Sequence, residues 1–355
     1  MSSFPAPPPE GTPAARLHDR HGRPPGVLRL SLTARCNLAC PYCLPDGQEP
    51  EGLLSLEQRL AVVEAAVALG FHSLRLTGGE PLLHPGLTEL VAAVQPLRRS
   101  GLRQIAITSN GLLLTAERAW KLRQAGLDRL TLSLDGTTAT SVARMAGLKE
   151  ASAGAQSLAR VLAAIDHARA AGFDPARGEL KLNAVIQRGR NDDQLVPLAR
   201  LARHQGVELR LIEAMDVGSR NGWTPQQVVP AAEMVQTIAN HWPLVPLGRE
   251  AHGTASRWRY RDGGGHLAVV ASITAPFCGD CDRLRITANG IAYPCLFASV
   301  GMDLRPQLQP AIQPEGLRRA IARLWGERTD RYSEERGSIP TDQRAAPAEM
   351  AVLGG

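Results

Sequence analysis

The chain has 355 residues, 44% hydrophobic and 21% charged, a balance that suits a soluble globular protein with a large core, either one domain or one domain plus an extension. No apolar run approaches the roughly 18–20 residues of a membrane-spanning helix, and the N-terminus shows no apolar secretion core, which argues against a bilayer or exported protein and sets a cytoplasmic location as the expectation. The net charge of +6 is almost entirely arginine, with Lys121, Lys149 and Lys181 the only lysines. A GC-rich genome is the plain source of such a bias. The functional one is that arginine's planar fork suits phosphate, and charge alone leaves a phosphorylated small molecule and nucleic acid both open.

In chain order, residues 1–25 are rich in Pro, Gly and Arg without periodicity and read as a flexible arm. A strand is predicted over 27–33, followed by a cysteine loop. Residues 55–69 carry a helical apolar period with a Ser55 start, Gln58 three residues on and Gly70 as the stop. Strand 72–77 precedes helix 86–99, strand 104–109 precedes helix 115–125, and strand 128–134 precedes a helix over about 156–171. Strand 179–186 precedes helix 192–204, and strand 207–213 closes the series, with 214–240 as the last and least regular step. Residues 143–157 are small and polar and read as a loop insertion. Six such steps predict a parallel sheet and fit an α/β fold, a partial, open (β/α)6 TIM-like barrel over 26–240, better than the eight-strand form. Over 241–340 the pattern changes to short strands around Gly263-Gly264-Gly265, with a helix at 314–326. The polar tail, 341–355, ends in Gly354-Gly355.

Six cysteines fall in two triplets, Cys36, Cys40, Cys43 and Cys278, Cys281, Cys295. A chain this large does not need disulfide staples, so two clusters of three point to two metal centres in a reducing compartment. The first triplet, C-x3-C-x2-C in RCNLACPYC, follows a strand. Thiolates select iron–sulfur, zinc or copper(I). A cubane of four irons held by three cysteines keeps one iron open for a reactant, while a zinc site completed by a distant histidine is the bland alternative. The second triplet, C-x2-C-x13-C, allows a zinc ribbon with His266 or another histidine, or a second cluster with an open iron. Arg283 and Arg285 follow Cys281 closely and read either as a phosphate site or as a solvated strand face.

The first triplet, with Tyr42 in the aromatic place of C-x3-C-x-aromatic-C, resembles the signature of the radical S-adenosylmethionine (SAM) superfamily. TGGEPL (77–82), at the end of the next strand, looks like that superfamily's Gly-Gly-Glu motif. There Gly78 and Gly79 would admit close approach of the ligand, and Glu80 would accept from the methionine amino group.

Together these and further segments resemble the GTP 3′,8-cyclase family (the molybdenum cofactor biosynthesis protein A family) from about residue 18 to the end. They are LRLSLTARCNLACPYCLP (28–45), LRLTGGEPL (74–82), TSNGLLL (108–114), SLDG (133–136), LKLNAVIQRGRNDDQ (180–194), ELRLIEAMDVGSRNGW (208–223), FCGDCDRLRITANGIAYPCLFA (277–298) and the Gly-Gly end. The resemblance implies a radical SAM barrel with a C-terminal α+β extension carrying a second [4Fe-4S] cluster. It implies SAM cleavage to a 5′-deoxyadenosyl radical, hydrogen abstraction from C3′ of GTP and attack on C8. SAM would meet Tyr42, Gly79, Glu80, Ser133 and Met215. GTP would meet Arg29, Arg75, Thr108, Lys181, Arg210, Arg283, Leu284 and Arg285, with guanine on the second cluster. Cys36, Cys40 and Cys43 with the Arg283–Arg285 pair carry the catalytic assignments, and both triplets carry the metal. Implied partners are a downstream cyclic pyranopterin monophosphate synthase and a small electron-donor protein, and a homodimer stays open. Three departures stand out: Ser73 where many relatives have lysine, the 143–157 segment, and the Pro-rich arm over 1–17.

Two other readings come from different classes. A radical SAM peptide maturase would use the C-terminal cysteines for auxiliary clusters, for which three are few. A metal-stabilised nucleic-acid-binding protein would display stacked aromatics, yet aromatics are only 4% of the chain.

Overall fold

In the computed structural model, which describes residues 17–45, 47–338 and 348–354, the strand–helix rhythm builds one curved sheet wrapped in helices. The first steps are β1 (Val27–Ser31), α1 (Leu56–Ala68), β2 (Ser73–Thr77), α2 (Leu87–Ala93), β3 (Gln104–Ser109), α3 (Ala116–Gln124) and β4 (Arg129–Ser133). Helix α1 starts as its sequence predicts, with Ser55 and Gln58 forming a reciprocal capping box. The helix expected over 86–99 stops at Ala93 and continues as a 3₁₀ turn, Gln95–Ser100. Pro96 lacks the amide and crowds the carbonyl that an α-helix would need there.

The segment 143–157 is not a loop. It holds the end of α4 (Ala139–Ala146) and the start of α5 (Ala151–Ala170). Thr138 caps α4 by accepting from the Ser141 amide, and Gly147 ends it at φ 68°. The small residues serve the crossing of the two helices: a Cβ on Gly154 would stand 2.0 Å from the Ala139 carbonyl oxygen. Then follow β5 (Leu180–Ile186), α6 (Leu195–His204), β6 (Glu208–Glu213), α7 (Ala231–Ala239), β7 (Leu244–Arg249), β8 (Ser256–Tyr260), β9 (His266–Val270), β10 (Arg283–Ile286), β11 (Ile291–Tyr293), β12 (Met302–Asp303), α8 (Pro314–Gly326), α9 (Tyr332–Glu335) and α10 (Met350–Leu353).

The sheet runs β12-β11-β10-β1-β2-β3-β4-β5-β6-β9-β8-β7. The region expected to extend the barrel is woven into both of its edges. β10 pairs parallel with β1 and β9 parallel with β6, so eight parallel strands curve around the interior where six were expected.

Every second residue of these strands is apolar and sealed under the helices, as with Leu28, Leu30, Leu74, Leu76, Ile105, Ile107, Leu130, Leu132, Leu209 and Leu211. Their neighbours in sequence, among them Arg29, Arg75, Thr108, Ser133, Asn183 and Arg210, face inward. Parallel strands buried on both faces normally read as continuous apolar runs. This alternation marks an interior that holds polar matter, not core.

Of the arm expected over 1–25, residues 1–16 lie outside the described residues. Residues 17–25 are packed: Asp19 and Arg23 are buried as an ion pair at 2.5 Å, and Arg23 also donates to the Cys278 carbonyl at 2.7 Å.

Candidate active site

All six cysteines open onto a single cavity of about 330 Å³ inside the barrel. The topology explains why. The first triplet follows β1 and so lies at the C-terminal rim of the parallel strands. Cys278 and Cys281 precede β10, which runs parallel to β1, and so lie at the opposite rim. β11 runs antiparallel to β10 and returns Cys295 to that same rim.

At the first rim, the Cys40 carbonyl accepts from the amides of Cys43 and Leu44, both at 2.9 Å, which turns the loop back on itself. Tyr42 donates its hydroxyl to Asp135 at 2.7 Å, and the other Asp135 oxygen accepts from the Val185 amide at 2.8 Å. Burial pushes the Asp135 carboxyl up to about 6 against these two donors. Asn110 approaches the Cys36 sulfur at 3.9 Å. Burial raises all three thiols, Cys43 to about 12. Protons held so firmly leave only when a cation takes their place.

Gly78 and Gly79 also support the cysteine loop. Their loop is zipped onto the start of the cysteine loop, with the Gly79 amide donating to the Thr33 carbonyl and the Glu80 amide to the Arg35 carbonyl, each at 2.8 Å. Gly78 sits at φ 147°, and a Cβ there would stand 2.5 Å from the Thr33 carbonyl oxygen. On Gly79 it would stand 2.2 Å from that of Arg35. Gly79→Ala is therefore expected to push the cysteine loop off its support, with loss of bound iron confined to the first triplet. Iron counting on the reconstituted chain checks this. Glu80 accepts from Ser109, Leu82 and Asn110, which leaves Oε2, with one donor at 2.7 Å, room for another. Gly79, Glu80, Ser133, Met215 and Tyr42 all line the cavity.

At the second rim, Arg283 donates to the Cys281 sulfur at 3.3 Å and to the His252 carbonyl at 2.5 Å, and stacks over Phe277 at 5.4 Å. Arg328, which the sequence reading missed, donates to the same sulfur at 3.2 Å and to the Cys281 carbonyl at 2.7 Å. Burial would raise the Cys281 thiol, but Arg283 and Arg328 outweigh it and bring it to about 7. Cys295 accepts from the Phe297 amide at 3.5 Å, and burial, then Asp330, pushes its thiol to about 12. Soft donors in threes, with N–H groups aimed at two of the sulfurs here, fit iron–sulfur clusters at both rims. Among the described residues no three metal-ligating side chains converge on one ion.

Between the rims, strand register sets Arg285, Arg29 and Arg75 side by side on three adjacent strands. Arg285 is only 8% exposed, its Nε is buried without a hydrogen-bond partner, and burial brings it down to about 10 although Cys281 and Cys295 hold it up. Arg75 is depressed by burial, then by Arg129, Arg29, Arg210 and Arg283. Arg29 donates to the Gly354 carbonyl, at 3.2 Å from Nε. The C-terminal segment thus enters the barrel, where a Cβ on Gly354 would meet the Thr77 hydroxyl at 2.0 Å. Gly355 lies outside the described residues.

Two expected substrate contacts sit elsewhere. Lys181 is not in the cavity wall but pairs at 2.8 Å with Glu208, which also holds Arg257 at 2.8 Å and Arg210 at 3.3 Å. Leu284 lies between two inward arginines, so its side chain faces the outer core and is fully buried there. Asp135 and Asn110 lay within quoted motifs but had no role assigned. Arg328 had no signal beyond its charge.

Two family models match the chain: Radical SAM superfamily over residues 30–202 and Molybdenum Cofactor Synthesis C over 207–334. The chain is similar to a GTP 3′,8-cyclase of Synechococcus sp. (strain CC9902), 59% identical over 345 residues that cover 97% of this chain and all of that one. It is similar to another from Xanthomonas campestris pv. campestris (strain B100), at 44% over 350 residues, 96% of this chain and 98% of the relative. In fold alone it is similar to Streptococcus suis SuiB bound to precursor peptide SuiA, with TM-score 0.61 and 15% identity over 91% of this chain and 69% of SuiB.

Proposed function

The chain belongs to the GTP 3′,8-cyclase family of radical SAM enzymes, converting GTP to (8S)-3′,8-cyclo-7,8-dihydroguanosine 5′-triphosphate in molybdenum cofactor biosynthesis, and we propose that its two thiol triplets and the basic wall between them divide that work. One observation carries the reading: both triplets open onto one cavity from opposite ends, with partly unpartnered arginines between them.

Cys36, Cys40 and Cys43 would hold a [4Fe-4S] cluster with one iron open. With SAM bound and an electron supplied, that group furnishes the 5′-deoxyadenosyl radical. Tyr42, Gly79, Ser133 and Met215 form the SAM walls, and Oε2 of Glu80 accepts from the methionine ammonium. Cys278, Cys281 and Cys295 would hold a second cluster whose open iron takes guanine, with Arg283 and Arg328 neutralising its thiolates. Arg29, Arg75, Arg210 and Arg285, with Thr108, bind the triphosphate. A buried arginine without an acceptor is costly, and a tetra-anion removes that cost. Lys181 joins them only by exchanging Glu208 for phosphate.

Held at both ends, GTP turns C3′ toward the first rim and keeps C8 within reach of it. The ring closure then runs as an oriented intramolecular step. The carbon radical at C3′ forms the new bond to C8, and one electron and one proton complete the product. A small electron-donor protein would supply the electron, and a cyclic pyranopterin monophosphate synthase would consume the product. No helix among the described residues is long and apolar enough to cross a membrane, and six free thiols suit a cytoplasmic, reducing setting.

Anaerobic reconstitution followed by metal counting tests the assignment. About eight irons per chain and GTP-dependent consumption of SAM are expected. About four irons with one zinc would leave the first site standing and remove the guanine anchor.

A further inference from the structure

We infer that Arg129 grips the terminal phosphate of the bound nucleotide and makes the site selective for a nucleoside triphosphate over the diphosphate, an inference that rests on the GTP reading above. Register places Arg75 opposite Ala106 on β3, and Ala106 opposite Arg129 on β4. The inward row that begins with Arg285 and passes through Arg29 and Arg75 therefore continues to Arg129, with a single small side chain in between. From β10 to β4 the row spans four strand spacings, roughly 19 Å along the curved wall. A nucleotide whose base docks at the second triplet sends its phosphates along this row, and Arg129 stands at its far end.

Arg129 is not itself in the cavity wall, but it acts electrostatically on Arg75, which is. Its Nε is buried and has no hydrogen-bond partner. The carboxylates that act on it are Glu208, Asp128 and Glu250, and each is committed elsewhere. Glu208 holds Lys181, Arg210 and Arg257. Asp128 receives Arg98 at 2.9 Å and the Ile105 amide at 2.7 Å, and Glu250 receives Arg257 at 2.9 Å. A guanidinium at the end of a cationic row, whose counter-charges are shared with other cations, is matched by an anion arriving along that row.

The test is calorimetric titration of the reconstituted full chain with GTP, GDP and GMP, comparing the native protein with Arg129→Ala, Arg129→Lys and Arg75→Ala. Arg129→Ala is expected to weaken GTP at least about tenfold, toward the GDP value, and leave GDP and GMP within about twofold. Arg129→Lys should recover part of the GTP preference. Unchanged GDP binding also reports an intact fold. Equal weakening of GTP and GDP, or no change in either, would overturn the role of Arg129. Failure of the underlying reading looks different: the native chain would bind GTP no better than GMP, or Arg75→Ala would leave all three affinities unmoved.

Discussion

Cys40→Ala is expected to abolish reductive cleavage of SAM, a fall of at least about 10³-fold to background, while the chain keeps about four irons and binds GTP within about twofold of the native affinity. The argument runs from the loop outward. Cys40 contributes two separate things: its carbonyl, which accepts the amides of Cys43 and Leu44, and its thiol, which burial, then Asp135 and the two neighbouring cysteines, hold protonated in the metal-free site. Alanine removes only the second. Tyr42 keeps Asp135, and the Gly78–Gly79 strip keeps its grip on Thr33 and Arg35. With two thiolates left for four irons, the first rim cannot retain a cubane. The second triplet and its arginines lie at the other end of the strands and share no hydrogen bond with this loop among the described residues. Iron counting, a SAM cleavage assay and GTP titration on one preparation separate the outcomes. Cleavage that survives would contradict the role of the first triplet, and loss of all iron would contradict the independence of the two rims.

Much of this architecture is legible in the residues because two periodicities coincide with two chemistries. The outward Leu and Ile positions of β1 to β6 report the helix-covered face. The inward arginines and Lys181 break what would otherwise be the continuous apolar runs of a parallel sheet. Capping at Ser55 is equally local and equally readable. What escapes is pairing between residues distant in the chain. Nothing in the four residues of β10 says that they lie beside β1, more than 250 positions earlier in the chain. That pairing aligns Arg285 with Arg29 and carries the second triplet to the barrel's far rim. Lys181 is legible as a lysine inside a strand, but its partner Glu208 stands opposite it on β6, a match only the register reveals. Residues 143–157 mislead for a different reason. Small residues suggest a loop by composition, yet alanine is the strongest helix former, and Gly154 is there to let α4 and α5 touch.

Arg283 and Arg285 stand two positions apart on one face of one strand, and the sequence offers no ground to tell them apart. Their surroundings differ enough to give opposite results on substitution. Arg283 is fully engaged, by Cys281, by the His252 carbonyl and by the Phe277 ring. Arg283→Leu is therefore expected to loosen the second triplet, cutting the iron content toward about four per chain and lowering thermal stability. Arg285 has no acceptor among the described residues and is almost wholly enclosed. In the nucleotide-free protein it is a buried cation without a hydrogen-bond acceptor, its desolvation offset only in part by Cys281 and Cys295, so Arg285→Leu is expected to raise the melting temperature by about 2 °C. Under the proposed function the same change removes a charged contact to substrate and should weaken GTP by about 10- to 100-fold. The full complement of about eight irons remains, and SAM cleavage continues uncoupled from GTP. The two melting temperatures moving in opposite directions is the outcome that a shared structural role cannot produce. If both variants lose iron and stability alike, Arg285 belongs to the cluster and not to the substrate.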